Sequence, residues 1–370
     1  MLDIKLKIEP GHTSERDWMA PSPLTKLFWN VTAACNLRCP ICFADGGRPR
    51  EGELTTAEAR KMLASASRAG VRDIIISGGE PFCRPDILDL LEEMADLGIT
   101  ARIATNGTLL SDEALDRLRR ETLTRSFQVS LDSLDPEVYS AVHGVPGQHL
   151  DAALRALRGI RERGFHTTVS TRLTADTLPT IPEMLDRAVE EGWATVTVHI
   201  PVHTRRCLGA PEATADALTL LGPVFDHFCR LRRRWLVETY IPWAPYHPMM
   251  ERLAERVRVV HCGCRAGRDR LSIQPDGAIT PCVCLDVPEA RLGNVRSDDL
   301  AEVFERSALL RVYRRPEEFG ICGSCPHVRV CGGGCRTTAF ALTGRVDGQD
   351  GSCPIWQRFI AAGKEPVDAS

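Results

Sequence analysis

Three cysteines stand in one eight-residue stretch, Cys35-Asn-Leu-Arg-Cys39-Pro-Ile-Cys42, and nine more lie within residues 262–353. The chain carries fifteen cysteines in 370 residues. A reduced protein of this length needs no disulfides, so thiols in such number and grouping point to metal or redox chemistry. Iron–sulfur clusters are held by cysteine thiolates, usually four. Three in one loop would leave one iron of a four-iron cluster open to an outside ligand. An open position is also what separates a catalytic zinc site from a structural one. A zinc knuckle is the plain alternative, but it needs a fourth local ligand, and none follows Cys42 at ordinary spacing.

A second group is Gly78-Gly79-Glu80-Pro81, directly after the β-branched run DIIIS. Glycines let a backbone approach a ligand closely, and Glu80 can accept a hydrogen bond from an ammonium group. Asn106 in ATNGT and Ser130 and Asp132 in VSLDS end two further apolar runs. Asn-Gly is also an ordinary turn signal, and Asp132 could simply cap a turn.

The elements that must position these groups alternate. Strands are predicted over 27–31, 73–77, 100–105, 127–130, 167–171 and 195–199. Helices are predicted over 55–69, capped by Thr55 or Thr56, and over 85–97, ended by Gly98. Further helices are predicted over 112–120, 148–163, 181–191 and 214–234. Six strand–helix units imply an α/β fold with a parallel sheet and right-handed crossovers. Six are too few for the eight-fold barrel, so a partial (β/α)6 barrel is expected, with its site at the C-terminal strand ends. The cysteine loop, GGEP, TNG and SLD all fall there. The chain then divides into an N-terminal segment 1–24, a barrel 25–235, a proline- and aromatic-rich linker 236–261, a Cys-rich domain 262–360 with few helices, and a tail 361–370.

The CxxxCxxC spacing, with GGEP behind it, closely resembles the radical S-adenosylmethionine (radical SAM) superfamily. The resemblance implies a [4Fe-4S] cluster on Cys35, Cys39 and Cys42, whose open iron chelates S-adenosylmethionine. It implies reductive cleavage to a 5′-deoxyadenosyl radical that abstracts a hydrogen atom from substrate. Cofactor contacts are then expected from Gly78, Gly79, Glu80, Pro81, Asn106, Ser130 and Asp132. Two departures stand out. Ile41 replaces the aromatic residue common before the third cysteine, and His143-Gly144 stands where similar enzymes often carry Arg-Gly. Arg172, ending the 167–171 strand, is a candidate to replace that arginine.

Cys264, Gly277, Cys282, Cys322, Cys325, Cys331, Cys335 and Cys353 follow in an order that resembles the SPASM domain of radical SAM enzymes that mature peptides and cofactors. The resemblance implies one or two auxiliary [4Fe-4S] clusters, one on Cys322, Cys325, Cys331 and Cys353, the other on Cys264, Cys282 and Cys335. The latter lacks a fourth ligand; Cys262 is preferred over Cys284. Metal would hold together a domain with little core of its own. Cys83, Cys207 and Cys229 remain as inert thiols.

The formal net charge of −3 gives no case for nucleic acid, and the run Arg230, Arg232, Arg233, Arg234 reads as a solvated helix end. No apolar run approaches the ~20 residues that span a bilayer, and no signal peptide is visible, so the default is a cytoplasmic protein. An external low-potential donor of the flavodoxin or ferredoxin kind is the implied electron partner. The substrate is a peptide or small molecule; candidates to touch it are His199, His203, Arg205, Tyr240, Tyr246 and His247. Roughly 24 residues precede the first predicted strand, so no fused leader-recognition domain is expected, which favours a small molecule. LFWNVTAACNLRC and GGCRTTAFALTG resemble the haem-pathway decarboxylase branch, making a tetrapyrrole side chain or a sugar-derived antibiotic intermediate the alternative substrate. From other classes, an iron–sulfur electron carrier or a zinc-stabilised binding module would use the same cysteines.

Overall fold

The computed structural model describes residues 2–7, 20, 22–201, 217–231, 233 and 235–361. Its first strands are β1 (Leu2–Lys7), β2 (Lys26–Asn30), β3 (Asp73–Ser77), β4 (Thr100–Thr105), β5 (Thr124–Ser130) and β6 (His166–Arg172). Then come β7 (Thr195–Ile200), β8 (Leu236–Thr239), β9 (Arg258–His261), β10 (Arg270–Ile273), β11 (Ala278–Thr280) and β12 (Gly293–Asn294). Packing separates two compact units, one of residues 22–170 and 269–308, the other of 1–21, 171–268 and 309–370.

In the first unit β2, β3, β4, β5 and β6 run parallel in that order. Strands covered on both faces read as continuous apolar runs, and Trp29, Ile74, Ile76, Ile103, Phe127 and Val129 are all at most 1% exposed. Helices α1 (Thr56–Arg68), α2 (Ile87–Asp96), α3 (Asp112–Glu121), α4 (Pro136–His143) and α5 (His149–Glu162) connect the strands. Their starts follow from side chains that satisfy free N–H groups. Thr55 and Glu58 form a reciprocal capping box on α1, Ser111 accepts from Ala114 N–H on α3, and Asp135 accepts from Glu137 N–H on α4.

The Cys-rich region contributes to this sheet. β10 lies parallel to β2, pairing Arg270 with Lys26 through to Ile273 with Trp29, and β11 and β12 follow antiparallel. Asn30 Nδ2 donates to Gln274 Oε1 at 3.0 Å across that join.

In the second unit the strand order is β7, β1, β8, β9. β1 is antiparallel to both its neighbours, and β8 is parallel to β9. The alternation of LDIKLK buries Ile4 and Leu6 and turns Asp3, Lys5 and Lys7 to the other face. The stretch expected as a linker supplies β8, a helix Pro248–Ala254 and β9. Helix α6 (Ile181–Glu191) precedes β7, and the helix expected over 214–234 is described as two pieces, Ala217–Leu220 and Gly222–Arg230. Pro223, which has no N–H to donate, sits at the start of the second piece. Arg230 ends it, while Arg232 and Arg234 lie outside the described residues. Past residue 309 the chain is mostly short helices, including Val328–Cys331, Arg336–Thr343 and Pro354–Ala361. Among the described residues no helix is long and apolar enough to cross a membrane.

Candidate cluster and cofactor sites

The loop after β2 is folded by its own backbone. Cys35 N–H donates to Gly47 O at 2.9 Å, and Gly47 N–H donates to Ala33 O at 2.8 Å. Glu53, which the sequence reading passed over, ties down its start by accepting from Ala33 N–H and from the Thr32 hydroxyl, both at 2.7 Å. Buried Arg84 donates to Val31 O at 2.9 Å and pairs with Asp86. Two thiol sulfurs accept from backbone N–H groups, Cys35 from Leu37 at 3.4 Å and Cys42 from Gly46 at 3.5 Å. Burial pushes the Cys35 thiol up to about 12, and the proximity of Glu80, Cys39 and Cys42 adds to it. Cys35 and Glu80 therefore share one neighbourhood, with Cys39 and Cys42 close by, in which burial resists the ionisation of both.

Gly78 and Gly79 make that neighbourhood possible. Gly78 has φ +138, and a Cβ there would meet Thr32 O at 2.4 Å. A Cβ on Gly79 would meet Ala34 O at 2.2 Å. The close approach that these glycines permit is to the cysteine loop, with Gly79 N–H donating to Thr32 O and Glu80 N–H to Ala34 O. Pro81 is buried and starts a short turn over Pro81–Cys83.

Glu80 is 0% exposed. Its carboxylate accepts from Asn106 N–H at 2.7 Å, the Thr105 hydroxyl at 2.7 Å and Phe82 N–H at 3.2 Å. Desolvation nonetheless pushes it up to about 7, so those donors do not offset its burial. A cation would. The Asn106 side chain reaches the cysteine loop, donating from Nδ2 to Asn36 Oδ1 at 2.9 Å. Asn36 donates in turn to the Thr108 hydroxyl at 2.8 Å. Ser130 ends β5 beside Ser170 of β6, and Arg172 ends β6, its carbonyl accepting from the Thr177 hydroxyl at 2.5 Å.

Asp132 is 0% exposed, with φ +59. Its Oδ2 lies 3.0 Å from His143 Nε2. The other ring nitrogen of His143 lies 3.7 Å from Cys39 Sγ. Sequence reasoning reached His143 only as a departure from Arg-Gly; the pairing with Asp132 has no signature in spacing.

In the second unit Cys322, Cys325, Cys331 and Cys353 line one cavity, with Trp243 and Tyr246 against it. Gly332, Gly333 and Gly334, at φ +73, +86 and +81, turn the chain tightly after Cys331. A Cβ on Gly333 would meet Pro316 Cβ at 2.5 Å, so only glycine fits that turn. Burial pushes the Cys331 thiol up to about 12, with Cys353, Asp350 and Cys322 adding to it. Tyr246 is likewise pushed up to about 12 by burial and then by Cys331 and Cys325. Fully buried Asp350 accepts from Cys335 N–H at 2.7 Å and from the Ser352 hydroxyl at 2.6 Å, and Trp243 Nε1 donates to Ser352 Oγ at 3.2 Å.

The remaining cysteines divide. Cys264 is exposed. Cys262 donates to Glu238 Oε1 at 3.3 Å, and Glu238 pairs with Lys7 at 2.9 Å. Cys282 belongs to the first unit, where buried Cys284 is raised well above its ordinary value by a hydrogen bond with Cys282 and by burial. Cys83 and Cys229 are half-buried, and Cys207 lies outside the described residues. Of the candidates for substrate contact, His199 pairs with Asp3, Tyr240 lies under Lys5 Nζ at 5.1 Å, and His247 caps the Pro248–Ala254 helix through Met249 N–H. His203 and Arg205 lie outside the described residues.

These donor sets suit iron–sulfur clusters. Grouped thiols gain a counter-charge from a bound metal, which deprotonates a coordinating thiol outright. Among the described residues no three His, Cys, Asp or Glu side chains converge on a point for a single ion.

Comparison with known proteins adds the family. Residues 29–191 match the family model of the Radical SAM superfamily, and residues 262–326 that of the SPASM iron–sulfur cluster-binding domain. The AdoMet-dependent heme synthase of Methanosarcina barkeri is 30% identical over 331 residues, 85% of this chain and 92% of that protein. The mycofactocin maturase MftC of Mycobacterium tuberculosis is 30% identical over 350 residues, 92% of this chain and 84% of that protein. Streptococcus suis SuiB bound to S-adenosylmethionine shares the fold with a TM-score of 0.67 and 21% identity, covering 90% of this chain and 77% of that one.

Proposed function

The chain belongs to the radical SAM superfamily of enzymes, with a SPASM cluster-binding domain, and from that premise we propose that it removes a hydrogen atom from an unactivated carbon of a peptide or small-molecule biosynthetic intermediate. The supporting observation is the grouping of Cys35, Cys39 and Cys42 with fully buried Glu80. S-adenosylmethionine bound at a four-iron cluster supplies, on one-electron reduction, a radical strong enough for that abstraction. In this reading Cys35, Cys39 and Cys42 hold the cluster and Glu80 accepts from the cofactor's amino group. Asn106 and Ser130 are further candidates for its polar groups. An external flavodoxin- or ferredoxin-like protein delivers the electron. Cys322, Cys325, Cys331 and Cys353 hold one auxiliary cluster. Cys264, Cys282 and Cys335, with Cys262 or Cys284, are the candidate ligands left for another by the SPASM resemblance.

The heme synthase relatives favour, as a second reading, decarboxylation or dehydrogenation of a tetrapyrrole side chain, while the maturase relatives favour a peptide. The test is anaerobic reconstitution, iron and sulfide analysis, and detection of 5′-deoxyadenosine after adding S-adenosylmethionine and reductant. The wild type should form the nucleoside, and a Cys35→Ala, Cys39→Ala, Cys42→Ala variant should not. Iron without nucleoside would leave an electron carrier, and zinc without iron a binding module.

A further inference from the structure

We propose that His143, held at Nε2 by Asp132, is a positioning residue whose Nδ1 hydrogen-bonds the sulfur of Cys39 and raises the reduction potential of the cluster there; this rests on Cys39 being a cluster ligand. His143 is the last residue of α4 and is 1% exposed. Both its backbone and its ring grip the cysteine loop. Its carbonyl accepts from Arg38 N–H at 3.2 Å, and its Nδ1 lies 3.7 Å from Cys39 Sγ. The next residue, Gly144, has φ +64 and packs so closely that a Cβ would meet Arg38 O at 2.4 Å. The ring is fixed from two sides, stacked on Tyr139 at 4.1 Å between centroids and facing Asp132 Oδ2 at 3.0 Å.

Asp132 reaches the ring from a left-handed backbone, φ +59. That conformation costs a residue with a Cβ, though Asp tolerates it better than most. Strain of this kind at a buried charge belongs with a function more than with a fold. The chemistry follows from what each atom can do. A cysteine sulfur bound to iron carries no proton and a carboxylate only accepts, so both ring nitrogens donate and His143 acts as the doubly protonated imidazolium between two anionic acceptors. A carboxylate behind a histidine fixes the ring's orientation, as it does around metal-bound histidines. Here the histidine faces the ligand sulfur instead of the metal. Donation to a ligand sulfur favours the reduced cluster, which carries one more negative charge.

The test is an EPR-monitored redox titration of the anaerobically reconstituted full chain, following the signal that shifts on adding S-adenosylmethionine. His143→Phe keeps a ring on Tyr139 and removes both nitrogens; Asp132→Asn keeps the shape and removes the charge. Iron and sulfide contents should match the wild type. At the wild-type midpoint, the ratio of reduced to oxidised cluster should fall about tenfold in His143→Phe, which is about 59 mV for one electron. Asp132→Asn should move it in the same direction by less. An unchanged ratio in His143→Phe with full iron content overturns the proposal. So does loss of iron from both variants, which would make the pair a fold element only. Absence of the cluster from the wild type, or its survival in Cys39→Ala, would instead refute the ligand assignment, so the two failures are told apart.

Discussion

Glu80 is a carboxylate that three hydrogen bonds fail to keep at its ordinary value, because burial outweighs them. A cationic partner would favour the charged form of a carboxyl in that condition. Glu80→Gln, which keeps the shape, should weaken S-adenosylmethionine binding at least about tenfold with iron content unchanged, by calorimetric titration under anaerobic conditions. Glu80 could be singled out in the sequence because GGEP directly follows the β-branched run of β3. The role of its neighbours could not be. Gly78 and Gly79 admit the backbone of the cysteine loop, and that contact depends on where Thr32 and Ala34 fold. The pairing of Asp132, singled out for another role, was equally opaque, since nothing in VSLDS announces a positive φ or a histidine eleven positions away at His143.

Elements built from local signals were readable, and those built from distant pairing were not. The β-branched run of β3 and the capping box of α1 lie in contiguous residues, and both were placed within a residue or two. β8 and β9 hide in a proline-rich stretch because each is four residues long and gains its stability from β1 and from each other. Two tests belong at this scale. Gly79→Ala forces a Cβ onto Ala34 O at 2.2 Å. It should lower iron loading of the cysteine loop severalfold and reduce the Tm, both read on the reconstituted protein. The capping box adds a pH test. Arg296 and then the Thr55 backbone and hydroxyl depress Glu58 to about 2. A depressed carboxyl stabilises the fold above its unfolded value of 4.5 and loses that contribution as pH falls towards 2. Glu58→Gln should therefore lower the Tm at pH 7 and flatten its fall between those two pH values.

At the scale of the molecule, the cysteines fall into separate groups. If Cys322, Cys325, Cys331 and Cys353 hold one cluster, Cys331→Ala should lower iron by about four atoms per chain. The S-adenosylmethionine-responsive EPR signal should persist. The sequence order suggested a barrel followed by an appended domain, yet β10 closes the free edge of β2. That closure sets an order of events during synthesis. A ribosome that has just released β2 to β6 leaves β2 with an unsatisfied row of amides and carbonyls, a template for pairing with another nascent chain. Only after Ile273 emerges can the chain cap itself. If Cys35, Cys39 and Cys42 hold a cluster, the loop that receives it extends from the C-terminal end of a strand that stays open until translation brings β10 into place.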